Sequence, residues 1–400
     1  MLAAPVTDAA GAGASSTFAQ RWRRPALGAL LLWFAVRVVV YVEAIIVRLI
    51  DQGPRMSADP GWFFSLFWNW DSVYFTTLAD GGYFGPEAFS VWQSFFPGYP
   101  IAIRAVATPL FGLDPTEPQL LAAAWLVALV ASSVAAILLW KIAHDSFGEK
   151  VALAATALFV AGPYSHFLVA SYSEALFLAF ALAAWYWATK ANWWAAGSFA
   201  AAASLTRANG IFLIAALLVV YALARRREGK PWMSRALGLG AIGATGVGSY
   251  FLYLFVTTGD LFAWSHAQQA GWGRITQWPW YTMRNSIIQV VTVDNPLMYR
   301  IQYVFDIAFA LGLIVIFFVL IRKRWWPAAV LVFLTGASMM TSYNYVSLAR
   351  NTLTLFPIAI LFATVFLGER FRWIYWVAFG LGFALLLFNV RQFALGLWSD

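Results

Sequence analysis

Three short polar clusters interrupt an otherwise apolar chain, and their side chains set the chemistry open to it. The first is Trp68-Asn69-Trp70-Asp71-Ser72-Val73-Tyr74-Phe75, followed by Asp80-Gly81-Gly82-Tyr83 and by Phe95-Phe96-Pro97-Gly98-Tyr99-Pro100. Asp71 has two compatible readings. As an N-cap, its carboxylate would accept N–H bonds from a first helical turn. As a carboxylate held among aromatic rings at an interface, it would be placed to take a proton from a hydroxyl.

The second cluster is Pro163-Tyr164-Ser165-His166, then Ser171-Tyr172-Ser173-Glu174, where Ser171 and Glu174 have the S-x-x-E spacing of a capping box. The third is Ser204-Leu205-Thr206-Arg207-Ala208-Asn209-Gly210, between two apolar segments. It reads as helix punctuation, with Arg207 at a helix C-terminus and Asn-Gly supplying left-handed geometry. It also reads as an arginine between membrane spans that requires a partner, a phosphate being one. Arg104, His266, Arg274, Arg284, Arg300 and Arg350 remain, the last within Tyr343-Asn344-Tyr345-Val346-Ser347-Leu348-Ala349-Arg350-Asn351. Singly each suits a lipid head group; arginines without companion lysines suit bidentate phosphate recognition.

The elements that must position these residues follow from composition. Of 400 residues, 62% are hydrophobic and 11% charged, mean hydropathy is +0.71, and there are 22 Trp, 16 Tyr and 34 Phe. A soluble domain carries about 25% charged residues. The chain therefore reads as a multispanning membrane protein with aromatic belts. Eleven apolar segments lie near 26–50, 119–142, 151–168, 172–189, 193–207, 210–224, 236–257, 303–321, 325–342, 352–368 and 373–390. Residues 1–25 read as a disordered cytoplasmic tail, and 26–400 as one polytopic catalytic domain. With the N-terminus inside, and Arg37 and Arg48 set aside within the first span, sixteen Lys and Arg fall inside and eight outside, the eight all arginine. That asymmetry supports the orientation.

Two long connections, 51–113 and 257–300, then fall on the outer side, where chemistry is expected. Within the first, Trp70, Val73, Tyr74 and Leu78 predict a short interfacial helix stopped by Gly81-Gly82, while 99–113 reads as re-entrant or tilted.

Other classes lack their residues. Without cysteine there is no disulfide, zinc knuckle, thiolate nucleophile or iron–sulfur cluster, and three histidines leave little for a multi-His metal site. The net charge of +8 is accounted for by cytoplasmic loops, so nucleic-acid binding is not needed to explain it. The sequence has no Walker loop, nucleophile elbow, H-E-x-x-H or dinucleotide fingerprint. A sugar transferase without a nucleotide-binding domain would draw on a lipid-phosphate sugar.

Trp70-Asp71, Gly82-Tyr83, the 95–100 stretch, Tyr172-Ser173-Glu174 and Thr206-Arg207-Ala208-Asn209-Gly210 together, in this order, resemble the PIG-V-type mannosyltransferases. That family, of the GT-C class of integral membrane glycosyltransferases, adds the second mannose of the glycosylphosphatidylinositol anchor in eukaryotes and has bacterial relatives. The resemblance is strongest over 60–225 and fainter beyond, where Arg350 to Pro357 carries it; Ala208 departs from a serine common in the family.

The resemblance implies an all-α, polytopic GT-C-like bundle of about eleven transmembrane helices, with short interfacial helices in the first outer loop. It implies inverting transfer of mannose from polyprenyl-phosphate mannose to a hydroxyl of a lipid-anchored glycan, with Asp71 as the base. Arg207, Arg350 and His266 would receive the leaving phosphate. Trp70, Glu87, Tyr172, Glu174 and Asn209 would serve the acceptor or the sugar, a purely structural role being the alternative for Glu174; Trp62, Trp68 and Trp70 offer flat faces to sugar rings, with interface anchoring the expected role of at least two of them. Neither metal nor cofactor is expected, and the partners are membrane lipids and the two lipid-linked substrates. Composition favours a bacterial plasma membrane with an outward-facing site, the endoplasmic reticulum being the eukaryotic counterpart. The rival readings are a secondary transporter or flippase and a noncatalytic scaffold.

Overall fold

The computed structural model describes residues 18–51, 61–84, 90–231, 233–292 and 294–397. Among them the chain is helix and turn, with no strand. In chain order the helices are α1 (Phe18–Asp51), α2 (Asp71–Gly81), α3 (Gly98–Phe111), α4 (Glu117–Phe147), α5 (Glu149–Val160), α6 (Glu174–Thr189), α7 (Trp193–Thr206) and α8 (Gly210–Arg227). The second half adds α9 (Met233–Thr258), α10 (Ala263–Trp272), α11 (Pro279–Val291), α12 (Leu297–Arg322), α13 (Trp326–Met340), α14 (Leu348–Asn351), α15 (Pro357–Phe366) and α16 (Arg372–Ala394). α1 starts at Phe18, inside the stretch expected to be a tail. The interfacial helix expected near 70–78 is α2, closed by Gly82 at φ 71° with its N–H on Leu78 O. The segment expected to be re-entrant or tilted is α3, of 14 residues.

Each of the eleven apolar segments falls on a helix, but length divides them. Five are long and apolar enough to cross a membrane: 26–51 of α1, α4, 236–258 of α9, α12, and 369–394 containing α16. A sixth arises only if Leu348–Thr354 and Pro357–Phe366 count as one span, bent by 84°. By contrast α5, α6, α7 and α13 have 12, 16, 14 and 15 residues. At about 1.5 Å per residue, 14 residues rise about 21 Å, short of a hydrocarbon core of about 30 Å.

Short helices bring polar turns into the body of the protein, where irregular backbone survives only if protein or a hydrated cavity surrounds it. Three such turns matter here: 161–173 between α5 and α6, 207–209 between α7 and α8, and the bend around α14. Small residues let the helices around them close up, as the fully buried Ala124, Ala135, Ala155, Ala175 and Ala184 show. Arg37, fully buried within α1, meets backbone through its two terminal nitrogens: it donates to Ser165 O at 2.7 Å and to Val160 O, tying α1 to the first of these turns.

Candidate active site

Asp71 is the first residue of α2 and not its cap; that position is Trp70, at φ 58° and ψ −124°. A tryptophan with positive φ is strained and must be held by its surroundings. The hold is visible on both sides of it. The Tyr172 hydroxyl donates to Asn69 O at 3.0 Å and accepts the Asp71 N–H at 3.2 Å, while Asn69 Nδ2 donates to Phe393 O at 2.9 Å. The 68–71 turn is thereby fixed to the lead-in of α6 and to α16.

Glu174 opens α6, but the capping box expected of Ser171 and Glu174 is not formed, since Ser173 occupies the cap and its side chain makes no bond to the first turn of the helix. The capping box that does form joins Thr116 and Gln119 at the start of α4. Glu174 instead serves long-range partners: its Oε1 lies 2.7 Å from Arg350 Nη2, 2.8 Å from Arg350 Nε and 3.0 Å from Arg207 Nη1. A fully buried carboxylate requires such pairing.

Arg207 caps the C-terminus of α7 in extended geometry, φ −152° and ψ 147°. It also donates to Ser173 Oγ and to Asn351 Oδ1, both at 2.9 Å. Asn209 does not supply the expected left-handed residue, as its φ is −59°. Glycine at 210 answers a different need: a Cβ there would lie 2.6 Å from Ser204 N, so the turn closes only because α8 begins against the backbone of α7.

Arg350 lies in α14, whose lead residue Ser347 is left-handed at φ 57°. Asp306 of α12, a buried acid within an apolar span, accepts the Ala349 N–H at 2.7 Å and so fixes the turn one residue before Arg350. Both terminal nitrogens of Arg350 lie 3.2 Å from Asp71 Oδ2, and its guanidinium carbon lies 4.5 and 4.7 Å from the Phe167 and Tyr172 ring centres. Asp71, Glu174, Arg207 and Arg350 thus form one connected cluster of two negative and two positive groups. Asp306 was not singled out in the sequence, although an acid inside the 303–321 segment is the signal that would have marked it.

A cavity of about 500 Å³ opens over this cluster. Asp71, Arg207, Asn209, Arg350 and Asn351 line it together with Ser94 and Phe95 from the first long connection and Trp264, Gln268, Trp272 and Arg274 from the second. Tyr172 and Glu174 lie beneath the lining, fully buried, and Trp70 stands outside it, 39% exposed. His266 is not brought to the cluster: it is exposed, with Nδ1 2.7 Å from Asp260 Oδ2. Glu87 lies outside the described residues.

The arrangement of helices has a counterpart among solved membrane-protein structures. It is shared with ArnT from Cupriavidus metallidurans, solved bound to undecaprenyl phosphate, at a TM-score of 0.52 and 17% identity over 86% of this chain and 63% of that one. Residues 58–226, which hold Asp71, Glu174 and Arg207, match the family described as Mannosyltransferase (PIG-V), and the resemblance read from the sequence stands on that segment. The mouse GPI alpha-1,6-mannosyltransferase 2 is 34% identical over 157 residues, 37% of this chain and 30% of the mouse protein. GPI mannosyltransferase 2 of Yarrowia lipolytica is 26% identical over 229 residues, 56% of this chain and 59% of the yeast protein. The chain therefore matches about a third of the length of its mammalian relative and somewhat more than half of the yeast one.

Proposed function

We propose that the protein transfers mannose from polyprenyl-phosphate mannose to a hydroxyl of a lipid-anchored glycan, with inversion, on the non-cytoplasmic side of its membrane. The observation that carries this reading is the meeting of Asp71 with Arg207 and Arg350 at the edge of one cavity. Support for the side comes from the distribution of Lys and Arg, since no lysine falls on the face assigned to Asp71.

The charge balance gives the reading a mechanism. In the resting cluster two carboxylates and two guanidiniums cancel. The acceptor oxygen attacks the sugar carbon as its proton passes to Asp71, and the carbon–oxygen bond to phosphate breaks on the opposite face with its electron pair going to the phosphate. Asp71 then carries no charge and the cluster gains one positive charge as the departing phosphate gains one negative charge. Arg350, released from a neutralised Asp71, is free to follow that charge, with Arg207 beside it. Aromatic walls and lipid keep water from competing for the sugar carbon.

The test is transfer of labelled mannose from polyprenyl-phosphate mannose into membrane glycolipid by the purified chain in lipid vesicles. Label in a new lipid, lost with Asp71→Asn, supports the reading; label that crosses the bilayer without entering a new lipid assigns the chain to transport.

A further inference from the structure

The part of the cavity lining formed by α10 and the 90–94 turn carries chemistry that the charge cluster does not use. α10 is held against the 90–94 turn through a single carbonyl: Ser94 O accepts from Trp264 Nε1 at 3.1 Å and from Gln268 Nε2 at 3.4 Å. The bond to a carbonyl fixes which end of the Gln268 amide is nitrogen, because the reversed amide would set oxygen against oxygen. Gln268 Oε1 is then directed away from Ser94 O. It is buried without a hydrogen-bond partner among the described residues, and so is Ser94 Oγ, on a residue 7% exposed. Both residues line the cavity. One offers an acceptor and the other a hydroxyl that donates or accepts.

The surface beside them is aromatic. Trp272 lines the same wall, with its ring 5.4 Å from Phe95 and 6.4 Å from Tyr74. Phe95 in turn stacks on Tyr74 at 4.9 Å and meets Phe75 edge-on at 5.1 Å. Tyr74 and Phe75 are three and four residues after Asp71 on α2, so the aromatic wall is one helical turn from the carboxylate.

We infer that Ser94, Gln268 and Trp272 form a pyranose subsite, in which Ser94 Oγ and Gln268 Oε1, both lying just under the cavity surface, turn to bond a ring hydroxyl while a C–H face of the ring lies on the aromatic wall. The chemistry discriminates among ligands. Although Arg274 lines the same cavity, an anion bound at Gln268 Oε1 would meet partial negative charge there, and a prenyl or acyl chain would leave both buried polar atoms unpaired. A neutral ring with hydroxyls on its edge and an apolar face satisfies both demands. The inference deepens the transferase reading, which rests on Asp71 and the arginines, by assigning one of the two sugars a place; its test does not depend on turnover.

The full chain in lipid nanodiscs is probed with methyl α-D-mannopyranoside by saturation-transfer NMR, with the thermal midpoint of each variant as the check on folding. Ser94→Ala removes only the unpartnered hydroxyl and keeps the carbonyl that holds α10, so a merely structural Ser94 predicts no change. Loss of one neutral hydrogen bond predicts binding about three- to tenfold weaker for Ser94→Ala and for Gln268→Leu. If Gln268→Leu fails to fold, Ser94→Ala and Trp272→Leu decide. Mannoside binding that is absent in the wild type, or unchanged in folded Ser94→Ala and Trp272→Leu, overturns the subsite. In the transfer assay KM should rise with kcat nearly unchanged, for the acceptor if the subsite holds the acceptor sugar and for the donor if it holds the transferred one; unchanged KM for both overturns it. Mannoside binding that falls in the variants of a chain with no transfer activity leaves the subsite standing and removes the transferase reading instead.

Discussion

Arg350 stands between Asp71 and Glu174, with Nη2 3.2 Å from Asp71 Oδ2 and 2.7 Å from Glu174 Oε1. The planar guanidinium is the part that makes this possible, because one rigid fork serves two carboxylates that no direct bond joins.

Replacing the fork should therefore cost more than replacing the charge. Arg350→Lys keeps a cation but cannot reproduce the Nε and Nη2 bonds to Glu174 together with the bonds to Asp71. Losing one or two charged hydrogen bonds predicts transfer lower by about ten- to a hundredfold, with the protein still folded. Arg350→Ala should in addition lower stability by about 3–5 kcal/mol, since the buried Glu174 is left with Arg207 alone. Transfer rates and thermal midpoints of the two variants check this; equal stability and activity in both would remove Arg350 from the cluster's function.

Asp71→Asn separates proton transfer from architecture. The amide oxygen can still accept from Arg350, and the bond to the Tyr172 hydroxyl comes from the Asp71 backbone N–H, which the substitution leaves in place. Folding and donor binding should persist while transfer falls by about 10² to 10⁴, the range ascribed to a lost general base. A thermal midpoint within a degree or two of wild type together with full turnover would exclude Asp71 as the base.

The candidates Asp71, Glu174, Arg207 and Arg350 were legible in the sequence because each is polar within or beside an apolar stretch, but their convergence was not. Asp71 and Arg350 are 279 positions apart, and no periodicity spans such a distance. At Glu174 a local pattern misled: S-x-x-E has the spacing of a capping box, and only tertiary structure shows that the carboxylate faces two arginines instead. Hydropathy found all eleven segments yet not their lengths, because it does not register where a helix stops once its neighbours are apolar too. The breaks that shorten α5 and α7, and that bend the chain at α14, are the places where Glu174, Arg207 and Arg350 enter. His266 shows the converse: an expected common side with Asp71 does not by itself place a side chain in the cavity lining, and this one pairs with Asp260 instead.

Arg207 lines the cavity and joins three chain segments through Glu174, Ser173 and Asn351. Its loss should weaken binding of polyprenyl-phosphate mannose by at least about tenfold, the scale of one charged hydrogen bond, seen as a raised KM for the donor. Arg207→Lys, which restores charge without the fork, should recover only part of it. Donor affinity unchanged in Arg207→Ala would assign the residue to holding α6, α7 and α14 together.

With Arg350 bonded to Asp71 and Arg207 lining the same cavity, a leaving phosphate would have positive charge at hand without a divalent cation. Transfer should therefore continue at its full rate in EDTA. A rate that collapses with the chelator and returns with added magnesium or manganese would show that the arginines do not suffice.

Gly210 tests whether the turn that presents Arg207 depends on backbone contact. Any Cβ at 210 would enter the space of the Ser204 main chain and side chain, 2.6 Å from its N and 2.7 Å from its Cβ. Neither neighbour can yield as a flexible side chain would, so α8 must move away from α7 or the turn must reopen. Gly210→Ala should thus cost about 1–3 kcal/mol as overpacking and shift Arg207 from Glu174 and Asn351, lowering stability and donor binding together. Gly238→Ala, inside α9 where a Cβ meets nothing within 4 Å, is the matched control and should leave donor binding unchanged while raising stability by up to about 1 kcal/mol. If the two variants behave alike, the 207–209 turn is tolerant, and the placement of Arg207 has to come from its side-chain bonds alone.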